Sequence, residues 1–199
     1  ASVSVISMAY HVSVLTQQVV EGLQVKAGGR YIDCTVGEGG HSKAILEASS
    51  PGGRLLGIDG DLQALQTAEE QLRPFRDLCT LTNDNFSDLK RIAKDQGFHP
   101  VDGILFDLGL SSLQLEGEGR GFSFRAEEPL DMRFDLRQEV TAWEVVNRYS
   151  QGDLARIIRT YGEEHGADRI AREIVQSRPI DTSLQLAQVV ARAARQPWS

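Results

Sequence analysis

The sequence predicts an α/β protein in its first half and a purely helical region in its second half. Up to Asp107, short apolar runs alternate with helix-like segments of about 10–15 residues, a pattern typical of βαβ units and a parallel sheet. From Thr141 onward the spacing of apolar residues is helical only. We therefore predict two domains, residues 1–112 and residues 113–199.

The individual elements follow from these patterns. Strands, each a short apolar run next to Gly, Pro or Asp, are predicted at residues 31–36, 54–59, 78–82 and 101–107. Helices of the first half, with apolar residues three or four positions apart, are predicted at residues 11–23, 42–48, 62–72 and 86–96. Asp61 is the expected N-cap of the third helix. Helices of the second half are predicted at residues 142–149, 152–159, 163–176 and 184–194.

Composition excludes several classes of protein. The chain of 199 residues is 41% hydrophobic and 25% charged, which is ordinary for a globular domain, and it has no apolar run long enough to span a membrane. Two cysteines, Cys34 and Cys79, exclude a disulfide scaffold and fit a reducing compartment, the cytoplasm. A net charge of −7 disfavours a protein that grips nucleic acid by its overall field. The four histidines lack the spacing of metal ligands, so no metal is expected.

The loop after the first predicted strand is rich in glycine. It reads Gly37-Glu38-Gly39-Gly40, and such a loop at the carboxyl end of a parallel strand lets the backbone approach a ligand closely. The dinucleotide fingerprint would need glycine at the position of Ser42, so the match to an NAD loop is incomplete. A tight turn that uses glycine for steric reasons alone is the alternative.

Three further side chains are predicted at the same edge of the sheet. Asp59 ends the second strand, where a carboxylate can accept hydrogen bonds from both hydroxyls of a ribose. Phe86 follows the third strand and can pack on an adenine ring, although ordinary helix packing explains it equally well. Asp107 ends the fourth strand. The glycine-rich loop, Asp59 and Phe86 together predict an adenosine pocket, which does not distinguish NAD from S-adenosylmethionine.

Four segments together resemble one family. TVGEGGHS, DLGLSSLQL, RGFSFRAEEPLDMRFD and RTYGEEHGADRIAREIV are similar to the bacterial ribosomal RNA small subunit methyltransferase H family, S-adenosylmethionine-dependent enzymes that methylate the N4 amine of a cytosine in 16S rRNA. The resemblance covers about residues 11–190. It implies a Rossmann-like class I methyltransferase sheet with an inserted helical substrate-recognition domain. It also implies the small ribosomal subunit as partner and the bacterial cytoplasm as location.

The resemblance assigns cofactor positions in this chain. These positions, the S-adenosylmethionine contacts, are Gly39, Gly40, His41, Asp59, Phe86, Asp107 and Gln114. His41 and Gln114 come from the resemblance alone, whereas the others agree with the pattern of the residues.

The resemblance also implies a methyl-transfer reaction, for which the chain must supply hydrogen-bond acceptors. We expect Asp107, with the backbone carbonyls of Leu108 and Gly109, to accept hydrogen bonds from the reacting amine. Leu108-Gly109-Leu110 stands where DNA cytosine-N4 methyltransferases commonly carry Pro-Pro and an aromatic residue. A cysteine nucleophile is not needed, because such a nucleophile belongs to methylation at carbon 5 of the ring.

The 119–137 segment is expected to contact RNA or to be bridged internally. The candidate phosphate contacts are Arg120, Arg125, Arg133 and Arg137. Six acidic residues between positions 116 and 135 outnumber these four arginines, so internal salt bridges are the alternative. Two aromatic residues, Phe122 and Phe124, can stack on bases or pack inside the domain, and we favour packing.

The sequence departs from the family pattern at its end. The family continues after the helical domain, so we expect the last strands of the sheet to be missing from these 199 residues. One alternative function is therefore a ribosome-associated module that binds the cofactor without catalysing transfer. Pairing of exposed edge strands in a homodimer is one way to compensate for missing strands.

Overall fold

The computed structural model describes residues 15–110 and 119–194. The chain divides into two compact units, Ala1–Ser111 and Ser112–Ser199, and each unit is described by itself. Within the described ranges, the helices are too short or too polar to cross a membrane.

The first unit is built on a parallel four-stranded sheet. Its strands are β1 (Arg30–Asp33), β2 (Arg54–Asp59), β3 (Cys79–Asn83) and β4 (Gly103–Leu105), in the spatial order β3-β2-β1-β4. This order is the beginning of the doubly wound order 3-2-1-4-5-6. The predicted α/β, Rossmann-like fold class is therefore confirmed.

Helices cover both faces of the sheet. The helices of this unit are α1 (Thr16–Gly22), α2 (Gly40–Ala48), α3 (Leu62–Gln71) and α4 (Leu89–Asp95). Successive residues of a strand point to opposite faces. Tyr31 thus joins a buried cluster with residues of α2 and α3, whereas Ile32 joins a second cluster with Ile92 of α4. Both sheet faces are buried, as expected for a parallel sheet.

Side chains end two strands earlier than the apolar pattern suggested. β1 stops at Asp33, whose carboxylate accepts a hydrogen bond from the Thr35 backbone N–H at 3.1 Å in a local turn. β4 stops at Leu105, and the backbone N–H of Asp107 is bound instead by the Thr35 hydroxyl at 2.7 Å. The predicted strands at 31–36 and 101–107 were therefore too long.

Capping shifts one predicted helix start and confirms another. Asn85 accepts a hydrogen bond from the Ser87 N–H and begins a 3₁₀ turn, Phe86–Asp88, before α4. Asp61 caps α3 as predicted, accepting from the backbone N–H of Gln63 at 3.1 Å.

Between residues 119 and 194, the described part of the second unit, four helices pack around one core. They are α5 (Ala142–Arg148), α6 (Gln151–Gly162), α7 (Ala167–Gln176) and α8 (Ser183–Ala194). A capping box, in which Thr141 and Glu144 bind each other's backbone N–H groups, starts α5. The apolar faces of the helices meet in one cluster that also takes in Leu130 and Ile180.

The predicted helix 163–176 begins at Ala167. Glu163 adopts a left-handed backbone with φ of 51°, which ends α6 and sends the chain through a turn before α7 starts.

Candidate functional site

The glycine-rich loop joins β1 to α2 and uses left-handed backbone at two residues. Gly37 has φ of 53° and Gly39 has φ of 94°. A Cβ atom at Gly39 would lie 3.3 Å from the Cα and Cβ atoms of Ala68 in α3. Backbone geometry and helix packing therefore explain the glycine at 39, in agreement with the steric alternative. The loop ends at Gly40, the first residue of α2.

Asp59 lies at the carboxyl end of β2 and is tied to this loop. One carboxylate oxygen accepts the backbone N–H of Gly37 at 2.8 Å, and the other accepts that of Asp61 at 2.9 Å. Partial burial raises the pKa of the Asp59 carboxyl, and these two hydrogen bonds oppose the rise. A carboxylate has about four acceptor positions, so this one can still accept hydroxyl groups.

Asp107 follows β4 and is contacted by the first turn of α2. His41, in the first turn of α2, places Nε2 3.3 Å from an Asp107 carboxylate oxygen. The other ring nitrogen of His41, Nδ1, is buried and has no hydrogen-bond partner among the described residues. The Asp107 side chain remains 58% exposed while its backbone is held by Thr35. The carboxylate is therefore accessible but anchored.

Two exposed aromatic rings meet at the same end of the sheet. Phe86, in the turn after β3, and Phe106, directly after β4, have ring centroids 5.6 Å apart in an edge-on arrangement. Both rings are partly open to solvent. Phe86 is thus not ordinary helix core, and its ring can pack against a flat ligand.

A buried carboxylate lies beneath the loop. Asp33, at the end of β1, accepts hydrogen bonds from the Ser42 hydroxyl at 2.7 Å and from the Thr35 N–H. Complete burial raises the pKa of the Asp33 carboxyl, and the hydrogen bonds from Ser42 and Thr35 oppose the rise. Asp33 therefore supports the loop from inside the protein and does not face a ligand.

Six of the seven predicted cofactor positions lie at the carboxyl ends of the four strands. These six are Gly39, Gly40, His41, Asp59, Phe86 and Asp107. The seventh, Gln114, lies outside the described residues.

Sequence reasoning missed the supporting residues Thr35, Asp33 and Phe106. Their only signal was position, since each stands at or just after a strand end, where side chains of a parallel sheet converge.

Neither thiol of the chain is a ready nucleophile. Burial raises the pKa of the Cys34 and Cys79 thiols to about 12, so neither is a thiolate nucleophile at neutral pH. Across residues 15–110 and 119–194, no three His, Cys, Asp or Glu side chains are grouped to hold a metal ion.

Two of the predicted RNA-contacting arginines are paired with acids. Arg133 forms an ion pair with Asp131, and Arg137 forms one with Asp135, at 2.7 and 2.8 Å. The alternative of internal salt bridges is therefore confirmed for these two. The Arg120 side chain is largely buried.

The residues at the sheet edge fit a cofactor that contains adenosine. Asp59 supplies a partly exposed acceptor for a diol, Phe86 supplies an apolar ring face, and Asp107 supplies a second accessible carboxylate. The segment of residues 37–41 contacts both carboxylates: the Gly37 N–H donates to Asp59, and His41 Nε2, in the first turn of α2, lies 3.3 Å from Asp107.

Relatives among known proteins match most of the chain. Ribosomal RNA small subunit methyltransferase H of Dehalococcoides mccartyi is 50% identical over 183 residues, which are 92% of this chain and 52% of that protein. The protein of the same name from Thermotoga neapolitana is 49% identical over 185 residues, 92% of this chain and 61% of that protein. The chain thus spans about half to three-fifths of the length of these relatives.

A solved structure of a putative rRNA-methylase from Clostridium thermocellum overlaps 52% of this chain and 55% of its own, with 24% identity and a TM-score of 0.42. This overlap is too limited to support a family assignment. The family model described as the MraW methylase family matches residues 8–198, which is nearly the entire sequence. The chain therefore belongs to the MraW methylase family.

Proposed function

We propose that this chain carries the S-adenosylmethionine site and part of the substrate site of a methyltransferase that modifies the N4 amine of a cytosine in 16S rRNA. The family and the names of the relatives support methylation of small-subunit rRNA. One structural observation carries the proposal: the short segment of residues 37–41, made of the loop and the first turn of α2, binds Asp59 through Gly37 and contacts Asp107 through His41.

The two carboxylates have different roles in this proposal. Asp59 accepts hydrogen bonds from the ribose hydroxyls while its own orientation is held by the Gly37 and Asp61 N–H groups. Phe86 lies against the adenine ring. Asp107 anchors the methionine end of the cofactor. When bound, S-adenosylmethionine supplies a methyl group on a positively charged sulfur.

Asp107 also positions the amine that receives the methyl group. The N4 lone pair of cytosine is delocalised into the ring, so the amine is a weak nucleophile and needs acceptors for its hydrogens as positive charge develops. The exposed Asp107 carboxylate and the carbonyls of Leu108 and Gly109 follow β4 at the site and supply such acceptors. Reacting atoms must be held about 3–3.5 Å apart, which requires rigid support. Thr35 provides this support by binding the Asp107 backbone.

The proposed partner is the small ribosomal subunit in the bacterial cytoplasm. A base must leave its stack to reach a site of this kind. A folded ribosomal particle can present its RNA without a large basic patch on the enzyme, which agrees with the net charge of −7.

Calorimetry of S-adenosylmethionine with this chain tests the cofactor site. Asp59→Ala removes charged hydrogen bonds and should weaken binding by about 10- to 100-fold. Asp77→Ala is the matched control, because Asp77 is 90% exposed and precedes β3 at the opposite end of the sheet. Equal affinity of the Asp59 variant and the control, or displacement by NAD, would contradict the assignment.

Methyl transfer to isolated small ribosomal subunits tests the reaction. RNA recovered after incubation with radiolabelled cofactor is digested, and the expected product is N4-methylcytidine. Asp107→Asn should lower the rate by about a hundredfold, whereas Asp77→Asn should not. Methylation at another atom would refute the proposed chemistry. Cofactor binding without any transfer would favour the alternative, a binding module that does not catalyse.

A further inference from the structure

A short segment of the second unit exposes its apolar side chains, whereas three of its four charged side chains, Asp131, Arg133 and Asp135, are only 16–25% exposed. From Asp131 to Arg137, charged and apolar residues alternate strictly. The apolar members, Met132, Phe134 and Leu136, are 42%, 43% and 58% exposed. This arrangement inverts the usual preference of surfaces. We call these three side chains the apolar ridge.

The charged side chains between them hold the segment in shape. Arg133 donates from Nε and Nη2 to the Asp131 carboxylate at 2.9 and 2.7 Å, and from Nη1 to the carbonyls of Leu136 and Gln138 at 3.1 and 2.7 Å. Arg137 binds the Asp135 carboxylate through two donors, each at 2.8 Å. These contacts hold the segment in one conformation before any partner binds.

Two further contacts fix the ridge itself. Met132 adopts a left-handed backbone with φ of 57°, and its N–H binds the carbonyl of Arg120 at 2.7 Å. Phe134 packs one part of its ring against buried Phe122, with centroids 5.1 Å apart. The remaining surface of the Phe134 ring is therefore presented in a defined orientation.

The chemistry of the ridge selects its partner. The charges of the two acids and two arginines in the segment cancel, and Arg133 uses its N–H donors in hydrogen bonds within the segment. The ridge is thus poorly suited to phosphate groups. Three side chains also form too small a surface for a stable protein interface, which needs about 800 Å² per partner. An uncharged, flat group that stacks on one aromatic ring fits best.

We propose that the apolar ridge binds an unstacked base of the RNA substrate, with Phe134 stacking on the base and Met132 and Leu136 lining its edges. This inference rests on the proposed function, because it takes RNA as the substrate. Phe134 acts here as a positioning residue for RNA, separate from the sheet-edge residues proposed to bind the cofactor. This stacking contact also differs from the contacts between arginines and phosphates that the sequence suggested.

RNA binding by Phe134 variants tests the ridge. Fluorescence anisotropy of a short labelled single-stranded RNA, and of small ribosomal subunits in competition, gives the affinity of each chain. Base stacking on an aromatic ring predicts about 5- to 100-fold weaker binding for Phe134→Ala. Phe134→Tyr should retain binding because the ring is kept, whereas Phe134→Leu, apolar but not flat, should lose it. Tyr161→Ala, at an 82% exposed aromatic residue of α6, is the matched control.

The salt dependence distinguishes a base contact from a phosphate contact. The slope of log affinity against log salt should be unchanged in Phe134→Ala, because no phosphate contact is removed. Calorimetry should show wild-type affinity for S-adenosylmethionine in the same variant, which separates this test from that of the cofactor site. Full RNA affinity in Phe134→Ala, or no RNA binding by the unchanged chain, would overturn the proposal. Loss of self-association instead of RNA affinity would assign the ridge to a contact between chains.

Discussion

Gly39 offers a quantitative test of how the loop is built. Replacement by alanine forces a side chain into a backbone with φ of 94°, which costs about 1–2 kcal/mol. The new Cβ atom also lies 3.3 Å from Ala68 and 3.4 Å from the Cγ atom of Leu72, and overpacking of this kind costs about 1–3 kcal/mol. Alanine also restricts the unfolded chain more than glycine does, which offsets about 0.4–1 kcal/mol of this cost. We expect a net loss of about 2–3 kcal/mol.

Two other glycines separate the contributions. Gly37 has φ of 53°, but a Cβ atom added there would meet no other atom within 4 Å, so Gly37→Ala should cost only about 0.5–1 kcal/mol. Gly22 ends α1 without positive φ and with open space around it, so Gly22→Ala should be neutral or stabilising by up to about 1 kcal/mol.

Native-state hydrogen exchange of the β1 and β2 amides is the assay, because it reports on this unit alone. The three variants should rank Gly39, Gly37 and Gly22 in decreasing cost. A Gly39→Ala loss no larger than that of Gly37→Ala would refute the claim that the close approach of α3 requires glycine at 39.

Three further substitutions probe buried or bridging polar groups. The raised pKa of the Asp33 carboxyl means that the folded state keeps a proton that the unfolded state has lost. The stability of the fold therefore falls as pH rises above the ordinary carboxyl pKa of 3.8. Asp33→Asn should flatten this fall, measured by urea titrations at a series of pH values. Arg133→Ala removes the bonds that hold the ridge and should destabilise the helical unit by about 1.5–3 kcal/mol, measured by tryptophan fluorescence in urea. Asn147→Ala deprives both the N–H and the carbonyl of Ile180 of a partner and should cost about 2–3 kcal/mol in the same assay.

Exposed positions supply the controls for these substitutions. Asp77→Asn should leave the pH profile unchanged, and an equal effect at Asp33 and Asp77 would contradict the role of burial. Arg156→Ala breaks an exposed ion pair with Asp153 and should cost at most about 1 kcal/mol. A loss in Arg133→Ala no greater than this would show that the ridge does not depend on Arg133. Wild-type stability of Asn147→Ala would show that its hydrogen bonds are replaced by water.

The order of strands and helices was predictable from local signals in the sequence. Short apolar runs located all four strands, and apolar residues three or four positions apart located the helices between them, because these patterns reflect burial on two faces or on one. Positions near strand ends were less predictable. At the end of β1 the Asp33 carboxylate accepts the Thr35 backbone N–H, and beyond the end of β4 the Asp107 N–H donates to the Thr35 hydroxyl; an apolar pattern reveals neither hydrogen bond.

The glycine-rich loop, Asp59 and Asp107 could be singled out by sequence alone, since each follows a strand and parallel strands end at one edge. Only the tertiary structure decided how they connect. The bond from Gly37 to Asp59 spans 22 positions of sequence, and the bond from Asp107 to Thr35 spans 72. Such contacts exist because β1 lies between β2 and β4, and that neighbourhood arises from packing of the whole sheet. The apolar ridge likewise became visible only when the paired charges around Arg133 showed which side chains face outward.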